Sequence, residues 1–244
     1  MEQKNALITG ASRGIGRAIA LRLSADGYHI LLHYGNNEAA AQKTAEDITR
    51  QGGTVQLFQA DLTDPQQTQL FAQQLPPVDV LVLNASTQIR CPWEHITVAD
   101  AQSQLNSNLI SSMQLMQAVS GHMKQQNWGR IVVIGSVQEA KPHPDMLVYS
   151  ASKAAQNNMA KSLALQLAPY GITVNNVCPG VIYTDRNKEA LSDPDYAQTV
   201  RNSIPAGYYG EPQDCAGIVS LLCSEDGRYI TGQSIYVDGG KSIQ

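Results

Sequence analysis

Seven short apolar runs, alternating with helix-patterned stretches, leave this chain few folds to choose from. The runs fall at residues 6–8, 28–34, 54–60, 78–83, 130–135, 172–177 and 234–238. Some, Val80-Leu81-Val82-Leu83 above all, are apolar at every position instead of every second one, so both faces need cover. Helical spacing follows the first run and recurs over 38–51, 61–75, 98–109, 110–124, 149–168 and 214–224. Gly52-Gly53, Pro76-Pro77 and Pro169-Tyr170-Gly171 stop three of these stretches. Strand and helix alternating in this way, joined by right-handed crossovers, predict an α/β fold: one doubly wound, parallel, seven-stranded sheet with helices on both faces. The pattern has no linker and no repeat, so residues 1–244 are expected to form a single domain. Residues 181–212 are polar, turn-rich and only partly helical, which predicts a substrate loop.

Bulk composition narrows the function classes. With a formal net charge of -4 and no block of Lys or Arg, nothing here offers nucleic acid an electrostatic footprint. No apolar run approaches transmembrane length, and the residues from Met1 to Asn5 lack a signal-peptide pattern. The expected setting is cytoplasmic, with no membrane partner and a small-molecule substrate. Cys91, Cys178, Cys215 and Cys223 show no C-x-x-C spacing, so reduced thiols are expected and no metal site.

The first βα junction carries the first chemical signal. Ala6-Leu7-Ile8 runs into Thr9-Gly10-Ala11-Ser12-Arg13-Gly14-Ile15-Gly16 and then into helical spacing. A helix start leaves backbone N–H groups unpaired and carries partial positive charge, so a phosphate can sit there if no Cβ intervenes. Gly10, Gly14 and Gly16 remove those Cβ atoms. The spacing G-x-x-x-G-x-G differs from G-x-G-x-x-G, but the mechanics are the same. A bare helix cap is the other reading of such a turn.

Further along, Tyr149 and Lys153 stand four residues apart at a helix start and so share a face. An ammonium beside a phenol favours the phenolate and is expected to lower the Tyr149 pKa from about 10 toward neutral. Ser136 directly follows the fifth run, where its hydroxyl can donate to a carbonyl oxygen or simply cap a turn. Asn108 interrupts a helix pattern, so its amide either faces solvent or has a task.

Taken together, the Thr9 to Gly16 turn, Asp61-Leu62, Asn84-Ala85, Asn108, Ser136, Tyr149-Ser150-Ala151-Ser152-Lys153, Pro179-Gly180 with Thr184, and Thr231-Gly232 with Val237-Asp238-Gly239-Gly240 resemble the short-chain dehydrogenase/reductase family, from Asn5 to Gly240. In general look the chain is similar to 3-oxoacyl-acyl-carrier-protein reductases and glucose 1-dehydrogenase-like members. The resemblance implies a Rossmann fold, a homotetramer and four catalytic residues. Tyr149 would be the general acid/base, and Lys153 would lower its pKa and hold the nicotinamide ribose. Ser136 would orient the carbonyl, and Asn108 would bind a water of the proton relay. The cofactor would touch Gly10, Ser12, Arg13, Gly14, Ile15 and Gly16. Asp61 and Leu62 would lie at its adenine, Asn84, Ala85 and Ser86 beside its ribose, and Pro179, Gly180, Ile182 and Thr184 at its nicotinamide.

Cofactor choice turns on the end of the second run. An acidic residue there accepts from a ribose 2′-OH and repels a 2′-phosphate. Tyr34 occupies that position, followed by Gly35, Asn36 and Asn37, with no carboxylate before Glu38, while Arg13 offers a fork suited to phosphate. NADP(H) is therefore expected, with NAD(H) as the other possibility. Two departures stand out: Leu83-Asn84-Ala85-Ser86 replaces the usual Asn-Asn-Ala-Gly, and Asn127, Tyr170 and Tyr208 stand where carrier-protein reductases resemble one another in basic residues. The polar stretch Gln138, Glu139, Lys141 and His143, with Tyr183 across the loop, is expected to contact a small polar substrate or else to be a solvated loop. The expected reaction interconverts a secondary alcohol and a carbonyl on a sugar, polyol or keto compound. The alternatives are a 3-oxoacyl-acyl-carrier-protein reductase and, in another class, a catalytically silent cofactor-sensing or structural module.

Overall fold

The computed structural model describes residues 3–244; Met1 and Glu2, part of the N-terminal stretch read above, lie outside the described residues. Strands β1 (Asn5–Ile8), β2 (His29–Tyr34), β3 (Val55–Gln59), β4 (Val80–Leu83), β5 (Gly129–Ile134), β6 (Ile172–Pro179) and β7 (Ser234–Val237) all pair in parallel. Their order, β3-β2-β1-β4-β5-β6-β7, is the doubly wound one predicted. The helices are α1 (Gly14–Ala25), α2 (Glu38–Arg50), α3 (Pro65–Gln74), α4 (Val98–Leu105), α5 (Ser111–Gln126), α6 (Leu147–Leu167), α7 (Asp185–Lys188), α8 (Pro194–Asn202) and α9 (Pro212–Cys223). None among the described residues is long and apolar enough to cross a membrane.

The wholly apolar strands are explained by two cores. Ala6, Ile8, Ile30, Leu32, Val80, Val82 and Val132 face one way, onto Ile19 and Leu23 of α1, Ile48 of α2, and Val219 and Leu222 of α9. Their neighbours Leu7, Leu31, Leu81, Leu83, Ile131 and Val133 face the other way, onto Phe71 of α3, Leu115 and Val119 of α5, and Ala160 and Ala164 of α6. Side chains that alternate across a sheet covered on both sides must be apolar at every position.

Local chemistry sets the helix starts that matter here. Asp64 caps α3 through the Gln66 and Gln67 N–H groups, with Pro65 opening the helix. The two helical stretches read at 98–109 and 110–124 form one continuous run, in which α4 passes into α5 through a π-helical turn, Asn106–Ile110. Within the segment between β6 and α9, α7 and α8 supply its helical part.

The sheet order reverses direction between β1 and β4, and the ends of these two strands are stitched together there. Thr9 Oγ1 accepts from the Asn84 and Ala85 N–H groups at 2.9 and 3.0 Å. The Asn84 amide donates back to the Thr9 and Gly10 carbonyls, each at 3.0 Å. From the other side His33 Nδ1 accepts from Gly10 N at 3.1 Å while Nε2 meets the Ala60 carbonyl, and burial pushes the His33 pKa down to about 4, so the ring is neutral. Thr9→Val keeps the shape and leaves two N–H groups without their acceptor. Such a loss costs about 1–3 kcal/mol, so thermal unfolding of Thr9→Val is expected about 3–10 °C below wild type for a chain of this size. An unchanged Tm would mean that the stitch is not a stability element.

Candidate active site

The crevice opens at the carboxyl ends of β1, β4, β5 and β6, where ligands of doubly wound sheets bind. Its phosphate side is the turn before α1. Gly10 and Gly14 adopt φ of +64° and +56°, conformations that L side chains rarely take. A Cβ on Gly14 would come within 3.4 Å of the Thr184 methyl, so the loop after β6 closes on this turn. Gly16 has a different reason to be glycine: a Cβ there would run into the Gly10 carbonyl and the Asn84 amide, so it serves the fold of the turn and not the access of a ligand.

Around this turn several candidate residues meet. Ser12 and Ile15 are half-buried, and Arg13 is exposed with no ion pair among the described residues, whereas Arg17 is tied to Asp47 at 2.7 Å. Tyr34 is buried in the core, and the exposed residues at that rim are Asn36, Asn37 and Glu38. Asp61 is exposed with Oδ1 accepting from Thr63, while Leu62 is buried. The Cβ-free turn, an uncommitted Arg13 and the absence of a carboxylate at the end of β2 together fit a phosphorylated dinucleotide.

The chemical centre lies on α5, α6 and the end of β5. Tyr149 and Lys153 are both buried on one face of α6. The Ser136 hydroxyl faces the Tyr149 phenol and accepts from Gln138 N at 3.2 Å. Asn108, fully buried in the π turn, receives the Thr87 N–H at 2.8 Å and donates to the Thr87 carbonyl and to Ser152 Oγ, both at 2.9 Å. Its amide therefore has a task, which is to hold the chain beyond β4.

Lys153 departs from expectation. Its ammonium donates to the Ile134 carbonyl at 2.8 Å and to Gln156 Oε1 at 2.9 Å, and it lies 5.8 Å from the centroid of the Tyr149 ring. Burial, then the charge of Arg186, bring its pKa down to about 7. Burial also holds the Tyr149 phenol above its ordinary value, and the charge that opposes this most is that of Arg186. The predicted near-neutral phenol is thus corrected: desolvation of the phenol outweighs the cations near it.

The expected substrate contacts have partners within the chain. Gln138 accepts from Ser150 Oγ at 2.8 Å and donates to Met146 Sδ. Glu139 receives the Ser136 N–H at 3.1 Å and the Asn176 amide at 2.9 Å, and its pKa is raised by burial. His143 caps a short turn through Asp145 N and meets Arg90 at 3.0 Å. These three make hydrogen bonds that hold the loop and Ser136 in place, while Tyr183 at the rim stacks on Tyr209. Pro179 and Ile182 are buried, and Gly180 donates to the Val237 carbonyl, packed so closely on Asp238 that no Cβ would fit.

Two residues were not foreseen. Gln156, fully buried, links Lys153 to Ser112 Oγ at 2.7 Å, and Ser112 donates to the Asn108 carbonyl at 2.8 Å. Arg186 reaches from α7 across the crevice to the Ser86 carbonyl at 2.9 Å and Ser86 Oγ at 3.2 Å. A Gln at an inward helix position is a faint sequence signal for the first. For the second, the Ser in place of the usual glycine was the clue.

The depressed pKa of Lys153 has a thermodynamic consequence. Between about 7 and its ordinary 10.5, the unfolded chain holds a proton that the folded chain has released, so native stability rises with pH across that window. Lys153→Met removes this titration. The Tm of the variant minus that of wild type is therefore expected to fall from pH 7 to pH 10, measured by thermal melts in matched buffers. A gap that stays constant would return the Lys153 pKa to its ordinary value.

Comparison with known proteins identifies the family. The short chain dehydrogenase family model matches residues 4–195. The chain is 35% identical over 241 residues to a 3-oxoacyl-acyl-carrier-protein reductase of Staphylococcus aureus, covering 97% of each chain. It is 32% identical over 248 residues to 3beta-hydroxysteroid dehydrogenase 1 of Eggerthella lenta, covering 100% of this chain and 95% of the relative. A structure from Beutenbergia cavernae, provisionally described as an NAD(P)-dependent gluconate 5-dehydrogenase with NADP bound at low occupancy, superimposes with a TM-score of 0.94 at 32% identity over 99% of this chain and 97% of the other. The chain belongs to the short-chain dehydrogenase family and is an NAD(P)-dependent oxidoreductase.

Proposed function

We propose that this protein interconverts a secondary alcohol and a carbonyl on a small polar substrate, a sugar, polyol or keto compound, with NADP(H). The observation that carries the reading is the convergence of Ser136, Tyr149 and Lys153 at one strand end, beside a Cβ-free turn. When bound, the reduced nicotinamide would supply the hydride, and Thr184, Pro179, Gly180, Ile182 and Lys153 are the residues that would hold it. Tyr149, kept protonated by its burial, is in the form needed to donate to a carbonyl oxygen. Ser136 donates to the same oxygen and orients it, while its own acceptor site is taken up by Gln138 N. The nearby charges of Arg186 and Lys153 stabilise the phenolate that remains. Asn108, Ser112 and Gln156 keep Lys153 in position.

NADP(H) over NAD(H) is supported by Arg13, exposed and without an ion pair among the described residues, and by the missing carboxylate after β2. The NADP carried by the Beutenbergia cavernae protein points the same way. Self-association through the outer faces of α5 and α6, as the family resemblance implies, is supported by an apolar groove of about 500 Å³ lined by Leu109, Met113, Met159 and Leu163. A second substrate reading, reduction of 3-oxoacyl thioesters, is favoured by the Staphylococcus aureus relative. Against it stand Asn127, Tyr170 and Tyr208, which bring no charge to steer an acidic carrier.

NADPH-linked rates over a panel of sugars, polyols, simple ketones and an acetoacetyl thioester test the reading. Turnover of the sugars or ketones is expected, and a reaction confined to the thioester would replace it with the second reading. Tyr149→Phe is expected to abolish turnover and leave NADPH binding nearly intact; an unchanged rate would remove Tyr149 as acid/base. Arg13→Ala is expected to weaken NADPH about ten- to hundred-fold in Kd, the worth of one charged hydrogen bond, with little effect on NADH. Equal losses in fluorescence titrations of the two cofactors would argue against NADP(H) preference.

A further inference from the structure

We infer that Arg186, braced on Ser86, is the residue that binds the substrate through an anionic group, and that the substrate is a small hydroxy or keto acid whose carboxylate this guanidinium receives. The inference deepens the oxidoreductase reading above and rests on it.

Three observations lead there. First, Arg186 spans the crevice mouth, yet its hydrogen-bond partners are all neutral: the Ser86 carbonyl at 2.9 Å, Ser86 Oγ at 3.2 Å and Gln88 Oε1 at 3.5 Å. No ion pair involves it among the described residues. Arg90, by contrast, pairs with Asp145 at 3.3 Å. A guanidinium carries five donors in a planar fork matched to a carboxylate, and the long Gln88 contact is readily exchanged for a charged one.

Second, the guanidinium stands against the Tyr149 hydroxyl, the group that exchanges a proton with the reacting oxygen. A carboxylate on Arg186 therefore places a carbonyl or alcohol a few carbons away at Tyr149. The cofactor's phosphates have their own place at the turn of Gly10 and Gly14, where Arg13 lies. Third, the carboxyl group beside the chemical centre is already committed. Glu139 is spent on Ser136 N and the Asn176 amide, and it shares the buried region with Lys153. A neutral polyol gains little from an unneutralised cation at this point, whereas an acid gains a charge-assisted contact.

Ser86 and Arg186 also explain one another. Glycine at position 86 could offer a carbonyl but no hydroxyl, and the second brace that fixes the guanidinium direction would be missing.

Two matched pairs, in which a carboxylate replaces a CH2OH group on the same carbon skeleton, test the inference: gluconate against glucitol, and 3-hydroxybutyrate against butane-1,3-diol. Rates with NADP are measured for wild type, Arg186→Gln and Arg186→Lys. The Gln variant can still donate to Ser86, which keeps the loop anchored. Calorimetric titration of each acid into the NADPH-loaded protein adds a readout that needs no turnover. Wild type is expected to favour at least one acid over its neutral partner by about tenfold or more in kcat/KM. Arg186→Gln is expected to raise KM and Kd for that acid about ten- to hundred-fold while the KM of the neutral partner changes little, any loss of kcat through the Tyr149 phenolate falling on both alike, and Arg186→Lys to recover part of the loss. The inference is overturned if neither acid binds, if KM rises equally for acids and neutral partners, or if the variant loosens NADPH instead. Turnover of neutral compounds without preference for acids would overturn it while leaving the oxidoreductase reading standing; silence on every substrate would remove that reading, and the titration would still decide whether Arg186 receives a carboxylate.

Discussion

The burial of one ammonium group organises the site. Lys153 is 1% exposed, and a cation so placed costs several kcal/mol unless acceptors meet it. The Ile134 carbonyl at the end of β5 is one acceptor and Gln156 is the other. Because the Gln156 amide must then find its own acceptor, Ser112 of α5 is drawn in, and through it the Asn108 carbonyl in the π turn. The Asn108 side chain continues to Thr87 and Ser152. Satisfying a single charge thus ties β5, α5, α6 and the chain beyond β4 into one polar network, and a π turn lies where such turns often do, at the functional site.

That network decides the electrostatics of the crevice. Lys153 is held back from the phenol by its own hydrogen bonds, so the desolvation of Tyr149 prevails and the proton stays on the ring. Glu139 is bound to Ser136 N and the Asn176 amide, where it shapes the loop, and its charge opposes that of Arg186 at the phenol. The field felt at the phenol hydroxyl is then dominated by Arg186, which arrives from a different part of the chain. Acid chemistry by Tyr149 and positive charge at the mouth are two results of one arrangement of buried groups.

The fold was legible because it is written in periodicity. Strands covered on both faces must be apolar throughout, and helices between them must repeat near every third or fourth residue, so element order followed from Ala6-Leu7-Ile8, Val80-Leu81-Val82-Leu83 and their successors. The turn from Thr9 to Gly16 was legible for a local reason, since Gly10 and Gly14 take left-handed backbone. Tyr149 and Lys153 were legible as sharing a helix face, but four-residue spacing says nothing about depth, and depth settled their protonation. The hydrogen bonds made by Gln138, Glu139 and His143 were not legible, because a polar loop is equally polar whether its side chains face a ligand or each other. The partner of Glu139 lies 37 residues away, and the brace of Arg186 lies 100 residues away.

Element type, strand order and the placing of Gly10, Gly14, Tyr149 and Lys153 come from short-range rules: backbone sterics, side-chain period and the right-handed crossover. These act within a few residues, and the chain states them outright. Which polar atoms are spent on structure, which cation remains free and which side of a pKa a group falls on depend on desolvation and on partners brought in by packing. Such terms exist only once the helices close over the sheet, which is why the roles of Gln156, Glu139, Ser86 and Arg186 emerged only from the folded chain.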